Sequence, residues 1–164
     1  MNGILIRNLE PEDALEAAAL EQRAFGTPWS EKLITETIRQ AADSRRKELG
    51  AEKPLKLSFG AIGVWKETRL AGYLFAMIVD GEGELHRIAV LPEFRRMGIA
   101  GLLMEAFLSW MKERGTGAAT LEVRQGNTAA VSLYEKYGFR EEGRRKDYYR
   151  NPTEDARIFW LREL

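Results

Sequence analysis

Apolar and polar positions alternate along the chain in two rhythms, one of period two and one near 3.6, and the switches between them outline the elements. Ile4 and Ile6 alternate with Leu5 and Arg7, which predicts a short first strand. Pro11 then opens a helix running through Phe25, with Glu12 and Asp13 in the first turn, where acidic groups suit the helix dipole. Leu15, Ala18, Ala19, Gln22 and Phe25 trace its inner face, and Gly26, Thr27 and Pro28 break it. Ser30 is a good N-cap for a second helix to about Ala42, with Leu33, Ile34, Thr37 and Ile38 on one face. Residues 43–56 are polar and charged, contain Gly50 and Pro54, and predict a mobile loop.

From residue 57 the period falls to two. Leu57 to Trp65, Arg69 to Val79 and Glu84 to Leu91 read as strands. Their joints, Lys66 to Thr68 and Asp80 to Gly83, are so short that the three strands form an antiparallel meander. Leu102, Leu103, Ala106, Phe107, Trp110 and Met111 then recur at helical spacing between Ile99 and Arg114. Ala118 to Arg124 reads as a strand, Asn127 caps a helix that runs to Tyr137 and stops at Gly138, and residues 139–145 and 156–164 supply two last strands. The order is β-α-α-β-β-β-α-β-α-β-β. It predicts an α/β fold of one domain, residues 1–164, with a mixed, mostly antiparallel central sheet of about seven strands and helices on both faces.

Composition narrows the chemistry. Twenty-five basic residues balance twenty-five acidic ones among 164, which argues against a dedicated nucleic-acid binder. With no cysteine, a disulfide framework, a thiolate metal site and a cysteine nucleophile are all excluded. A single histidine, His86, makes a His-rich metal site or a Ser-His-Asp triad a poor fit. The longest apolar run, Leu70 to Val79, is ten residues and far short of a membrane span, and the first thirteen residues have no apolar leader, so a cytoplasmic protein is expected.

Two stretches carry candidate chemistry. In the first, Ile88-Ala89-Val90-Leu91-Pro92-Glu93-Phe94 runs into Arg95-Arg96-Met97-Gly98-Ile99-Ala100-Gly101 and a long helix. The free amides of a helix N-terminus, a glycine that lets an anion approach and two arginines suit a diphosphate; a solvated loop is the plain alternative. The spacing is neither a P-loop nor GxGxxG. In the second stretch, alternation puts Leu121 and Val123 on one face of a strand and Glu122 and Arg124 on the other. Glu122 is there either a general base or a surface acid paired with an arginine. Tyr134 and Tyr137, three apart on the following helix, fit simple packing equally well.

These residues resemble a known family. Arg95-Arg96-Met97-Gly98-Ile99-Ala100 is similar to the Arg/Gln-x-x-Gly-x-Gly/Ala signature of the acetyl-CoA-dependent GNAT N-acetyltransferases, and Asn127 with Leu133-Tyr134-Glu135-Lys136-Tyr137-Gly138-Phe139 resembles their second hallmark. Glu21-Gln22-Arg23-Ala24-Phe25, Pro28-Trp29-Ser30-Glu31, Leu121-Glu122-Val123-Arg124 and Arg145-Lys146-Asp147-Tyr148-Tyr149 resemble the RimI branch, whose members acetylate the N-terminal alanine of a small-subunit ribosomal protein. Two stretches depart from that branch: a longer 43–56 segment, and Arg150-Asn151-Pro152 where a proline usually follows the tyrosines directly. Both are expected where the acceptor peptide is held.

The resemblance implies a set of roles. Ile88, Ala89 and Val90 would pair their backbone with the pantetheine arm of acetyl-CoA, residues Arg95 to Gly101 would hold its diphosphate, and Asn127 would lie near the thioester. Glu122 would be the general base and Tyr134 the general acid, while Trp29, Glu84, Tyr148 and Tyr149 would contact the acceptor. Glu84 and His86 are rival bases, because Glu84, His86 and Ile88 are expected on one face of their strand.

An α-amine, with a pKa of about 7.7–8.0, is on the order of 10–20% neutral at pH 7, whereas a lysine amine near 10.4 is neutral in well under ~0.1% of molecules. An α-amine is therefore the easier acceptor, which suits the protein N-terminus that the resemblance implies. Direct attack in a ternary complex needs no covalent enzyme intermediate, which suits a chain without cysteine, and no metal is expected. The rival readings are a GNAT enzyme acting on a lysine or a small amine, a catalytically dead acyl-CoA-binding module, and a nucleotide binder.

Overall fold

The computed structural model describes residues 3–164. The elements are β1 (Ile4–Asn8), α1 (Ala14–Ala24), α2 (Glu31–Leu49), β2 (Leu57–Lys66), β3 (Arg69–Val79), β4 (Glu82–Val90), α3 (Ile99–Glu113), β5 (Ala118–Arg124), α4 (Thr128–Lys136), β6 (Arg140–Tyr149) and β7 (Glu154–Leu161). The seven strands form one sheet in the order β1-β2-β3-β4-β5-β7-β6. Among the described residues only β4 and β5 pair in parallel, across the α3 connection; the other pairs are antiparallel. The expected mixed sheet and the β2–β4 meander are therefore present.

Alternation along the central strands splits the core into two layers. Leu74, Ala76 and Ile78 of β3 pack with Leu103, Phe107 and Met111 of α3 and with Val131 of α4. Tyr73 and Phe75 point the other way, onto Ala17 and Leu20 of α1 and Ile34 and Ile38 of α2. Because β3 is covered on both faces, it reads as the near-continuous apolar run seen in the sequence. Phe107 and Leu103 are wholly buried, and each such side chain contributes on the order of 1.5–3 kcal/mol. No helix among the described residues is long and apolar enough to cross a membrane.

Three expectations need correction. Pro11 to Asp13 form a 3-10 turn before α1, and the inner face of α1 is Ala14, Ala17, Ala18, Leu20 and Glu21, with Leu15 exposed. The stripe is rotated by one residue because Glu21, charged but wholly buried, occupies the place that apolarity alone would give to a neighbour. Second, residues 43–49 are not loop: α2 continues to Leu49, and only residues 50–56 connect it to β2. Helix-favouring Arg, Lys, Glu and Leu fill that stretch. Buried Ser44 accepts the Phe59 amide at 3.0 Å, and Glu48 holds Arg114 through two hydrogen bonds of 3.1 and 2.7 Å.

Third, Glu84, His86 and Ile88 do not share one face. Ala76 faces Leu85 and Phe75 faces Arg87, so His86 is the extra residue of a β-bulge. The bulge reverses the alternation. Leu85 before it and Ile88 after it both join the α3 layer, whereas Ala89 joins the α1–α2 layer.

Candidate active site

The bulge sits where the sheet opens. β4 pairs with β5 only from Glu82–Ala118 to Leu85–Leu121. Beyond that, β4 stays with β3 as far as Val90–Gly72, and β5 stays with β7 as far as Arg124–Ala156. A wedge separates the two strands, and the β5-facing edge of Ile88, Ala89 and Val90 carries no ladder. An unpaired strand edge is a template for an extended chain bearing amides, as a pantetheine arm does.

At the end of β4, a 3-10 turn (Pro92–Phe94) leads through Arg96, at φ 63°, and Gly98, at φ 80°, into α3. The N-cap of α3 is Gly98, and among the described residues no side chain caps the first amides of the helix, those of Ile99, Ala100 and Gly101. A Cβ at Gly98 would meet nothing within 4 Å, which leaves the backbone open to a ligand. Arg96 makes no ion pair among the described residues and is exposed beside this turn; Arg95 reaches only the Ala24 carbonyl, at 3.5 Å. Free amides, open space and an uncommitted guanidinium fit the diphosphate of acetyl-CoA. Tyr137 closes the next turn by donating to the Gly101 carbonyl at 3.1 Å, and a Cβ at Gly101 would crowd its hydroxyl. Glu93, just upstream, accepts from Arg23 and Arg69 at 2.7 Å each, and these two hydrogen bonds hold its pKa down to about 2.

A cleft of about 1180 Å³ opens on the α1–α2 side of the sheet and continues through the β4–β5 wedge to Asn127, Ala130 and Tyr134. One wall is the Phe25–Trp29 segment after α1, the other is the β6–β7 hairpin with Tyr148, Tyr149, Asn151 and Pro152, and the floor carries Glu84, Thr120, Glu122 and Ile158. Leu121 and Val123 are buried on the opposite face under the α3–α4 layer, as the alternation predicts. Oε1 of Glu122 accepts from Arg145 Nε at 2.8 Å, no arginine takes Oε2 among the described residues, and the Tyr148 hydroxyl stands beside the carboxylate.

Tyr134 of α4 is buried and tilts against Phe139, with ring centroids 6.2 Å apart. Its hydroxyl makes no hydrogen bond among the described residues and borders the cleft. Burial, and then nearby Tyr149, push its pKa above the ordinary value. Burial, followed by Glu122, takes Tyr149 up to about 12. Tyr148, edge-on to Tyr149 at 5.1 Å, is raised first by the charge of Glu122. Asn127 caps α4, its Oδ1 accepting from the Ala130 amide at 3.2 Å, and also borders the cleft. Trp29 serves both as an anchor stacked on core Phe75, at 5.9 Å and 10°, and as part of the cleft wall.

The cleft thus collects Trp29, Glu84, His86, Ile88, Glu122, Asn127, Tyr134, Tyr148 and Tyr149, while residues 95–101 lie outside it at the α3 end of the wedge. Glu84 and His86 are bound to each other at 3.1 Å. The 43–56 segment, expected at the acceptor, does not reach the cleft: its α2 part is held against β2 and the C-terminus of α3 instead.

Three charged residues in or beside the cleft were not foreseen in these roles. Arg124 donates to the Arg150 and Pro152 carbonyls at 2.8 and 3.1 Å and lies 4.6 Å above the Tyr149 ring, pinning the hairpin wall. Buried Glu21 pairs with Arg87, which is half-buried and lines the cleft beside the other wall. The sequence signal for Glu21 is its place on the stripe 14, 17, 18, 21, where an acid must have partners.

Comparison with known proteins agrees with this geometry. The profile of the Acetyltransferase (GNAT) family matches residues 15–139. The chain is 34% identical over 152 residues to the [ribosomal protein bS18]-alanine N-acetyltransferase of Escherichia coli strain K12, covering 93% of this chain and 90% of that protein. It is 36% identical over 165 residues to the enzyme of the same name from Salmonella typhimurium, covering 98% and 97%. The crystal structure of the ribosomal-protein-S18-alanine N-acetyltransferase from Escherichia coli superposes with a TM-score of 0.79 at 31% identity, covering 98% of this chain and 95% of that one. The open β4–β5 edge, the amide-rich turn before α3 and these matches together place the chain in the acetyltransferase (GNAT) family, as an acetyl-CoA-dependent N-acetyltransferase.

Proposed function

We propose that residues 1–164 act as one domain that acetylates the N-terminal α-amine of a protein, with the N-terminal alanine of a ribosomal protein as acceptor. Relatives at 34% and 36% identity bear the name of that activity. The observation that carries the site reading is the meeting of Glu122 and Tyr134 in one cleft at the β4–β5 opening.

Acetyl-CoA supplies a thioester whose carbonyl the amine attacks. Ile88 to Val90 hold the extended arm along the free edge of β4, Arg95 to Gly101 hold the diphosphate, and Asn127 stands near the reacting end. Glu122 collects the proton from the α-ammonium, directly or through a water, on the oxygen that Arg145 leaves free. Tyr134 is protonated throughout the neutral range because burial holds its pKa up, and it donates to the departing thiolate. Burial makes it a weaker acid, but the same burial penalises the thiolate, so the two effects oppose each other. Trp29, Glu84, Tyr148 and Tyr149 line the acceptor path, and the Glu84–His86 pair is the competing base.

The cleft, at about 1180 Å³, exceeds the roughly 300–1,000 Å³ of common small-molecule sites and has room for several residues of a peptide. The test is incubation with acetyl-CoA and peptides, free or blocked at the N-terminus, read by mass spectrometry. Acetylation of a free N-terminal alanine, with little on an N-blocked peptide carrying an internal lysine, is expected. Equal rates on the blocked peptide overturn the N-terminal reading in favour of a lysine acetyltransferase.

A further inference from the structure

We infer that Glu21 and Arg87 form a positioning clamp that fixes the Phe25–Trp29 wall of the acceptor groove to the β4 strand of its floor, an inference that rests on the acceptor reading above. Glu21 lies near the end of α1 and is wholly buried. Its carboxylate has four acceptor positions, and all four are used. Oε1 accepts from the Tyr73 hydroxyl of β3 and from Arg87 Nε, the latter at 3.2 Å. Oε2 accepts from Arg87 Nη2 and from the Trp29 amide, the latter at 2.8 Å. A single carboxylate thus joins α1, β3, β4 and the Phe25–Trp29 wall.

Arg87 completes the clamp. Its guanidinium lies 3.6 Å from the Phe25 ring centroid and 5.1 Å from that of Trp29, so the carboxylate grips it edge-on while two aromatic rings cover it. The place matters. Arg87 follows the His86 bulge, just after β4 has lost its ladder to β5 at Leu85. There β4 is held on one edge only, by β3, and the clamp gives it a second attachment, to α1 and the Phe25–Trp29 wall. A buried ion pair is a poor source of stability compared with apolar packing, whereas its fixed bidentate geometry suits a device that sets position. Neither residue hydrogen-bonds to the Gly98 turn among the described residues, and Ile88 to Val90 keep their pairing with β3, so acetyl-CoA binding should depend on the pair much less than peptide binding does.

The variants are Glu21→Gln, Arg87→Lys, Arg87→Gln and the double Glu21→Gln/Arg87→Gln, each compared with wild type on the α-amine peptide and checked by thermal melting and by calorimetry with acetyl-CoA. Arg87→Lys keeps the charge but loses the planar fork. Its peptide KM should rise by on the order of 10–100-fold, as misplacement of a groove wall does, with kcat at saturating peptide unchanged and acetyl-CoA affinity changed much less than peptide affinity. The double variant should be no worse than the worse single one, because both remove the same clamp.

An unchanged peptide KM in folded variants, or a loss of acetyl-CoA affinity matching the loss for peptide, overturns the clamp and makes the pair merely structural. If Glu21→Gln fails to fold, Arg87→Lys, which leaves the buried carboxylate with a cation, decides alone. Failure of the acceptor reading shows separately, as absence of turnover by wild type on the α-amine peptide. The KM comparison is then made on whichever amine wild type accepts, with the same two outcomes.

Discussion

Arg145, on the edge strand β6, reaches over β7 and sets its Nε 2.8 Å from Oε1 of Glu122 on β5. Arg145 is largely exposed, so the pair adds little stability, on the order of 0–1 kcal/mol. What it supplies is orientation: one carboxylate oxygen is tied, and the other is left for a proton.

If Glu122 is the base, Glu122→Gln should cut the rate most near pH 7, where the neutral α-amine is scarce. The deficit should shrink above about pH 8, where solvent has already deprotonated the amine. A pH–rate profile of both forms measures this. A deficit constant from about pH 6.5 to 9.5 means that Glu122 only positions the acceptor. If the profile is instead lost in Glu84→Gln or His86→Ala, the base belongs to the bulged part of β4.

The turn before α3 makes a separable claim. Gly98 has φ 80° and open space where a Cβ would stand. Gly98→Ala should therefore cost the fold only the left-handed penalty, about 1–2 kcal/mol. Gly98→Trp places a ring over the free amides and should weaken acetyl-CoA binding much more than it lowers the melting temperature. Calorimetry beside thermal melting separates the two effects; equal acetyl-CoA affinity in wild type and a folded Gly98→Trp removes the diphosphate from this turn.

Glu93 gives the stability a defined pH response. Its pKa is held at about 2 by Arg23 and Arg69, below the unfolded carboxylate value. A lowered folded pKa adds stability that is full above the unfolded value, roughly 4.3, and is lost as pH falls toward the folded one. The stability difference between wild type and Glu93→Gln should be constant above pH 5 or so, shrink between about 4.5 and 2, and weaken in high salt, since the side chain is exposed. Urea unfolding across that range measures it. A difference independent of pH would contradict the assigned charge pairing.

The sequence was most legible where burial was simplest. Arg69–Val79 and Ala118–Arg124 match their predicted strands residue for residue, because β3 is buried on both faces and β5 alternates cleanly. Alternation correctly put Leu121 and Val123 on the α3–α4 face, opposite Glu122. Three features needed long-range information. Arg114, sixty-six residues beyond Glu48, helps hold the end of α2. The His86 bulge depends on register with β3, which no local pattern reveals. Glu21 is inward-facing only because Tyr73 and Arg87 meet it.

The hidden end of α2 has its own test. Ser44 Oγ is buried and accepts the Phe59 amide of β2 at 3.0 Å. Ser44→Ala leaves that amide without its partner and should cost about 1–3 kcal/mol, read as a lower urea midpoint at unchanged slope. Activity at low temperature should be unaffected, because the cleft is elsewhere. A drop in turnover by the folded variant would tie α2 to the acceptor after all.

Tyr134→Phe tests the other half of the chemistry. The ring is buried against Phe139, so phenylalanine preserves the packing, and removing a hydroxyl with no protein partner orphans nothing. Stability should hold or rise, and acetyl-CoA affinity should not change. Turnover should fall by about 10²–10⁴-fold, the usual worth of a positioned acid, and by less if a water takes its place. The pH profile adds a sharper criterion. The Tyr134 pKa is raised above its ordinary value, so the wild-type rate should show no fall from loss of this proton up to about pH 9.5. Any decline that begins near pH 8 must then come from another group. A thioester whose thiol leaves more easily should be used by Tyr134→Phe with a smaller deficit than acetyl-CoA, since a better leaving group needs less help from an acid. Equal deficits with both thioesters, or an unchanged turnover number where chemistry limits the rate, would remove Tyr134 from proton transfer and leave it as packing.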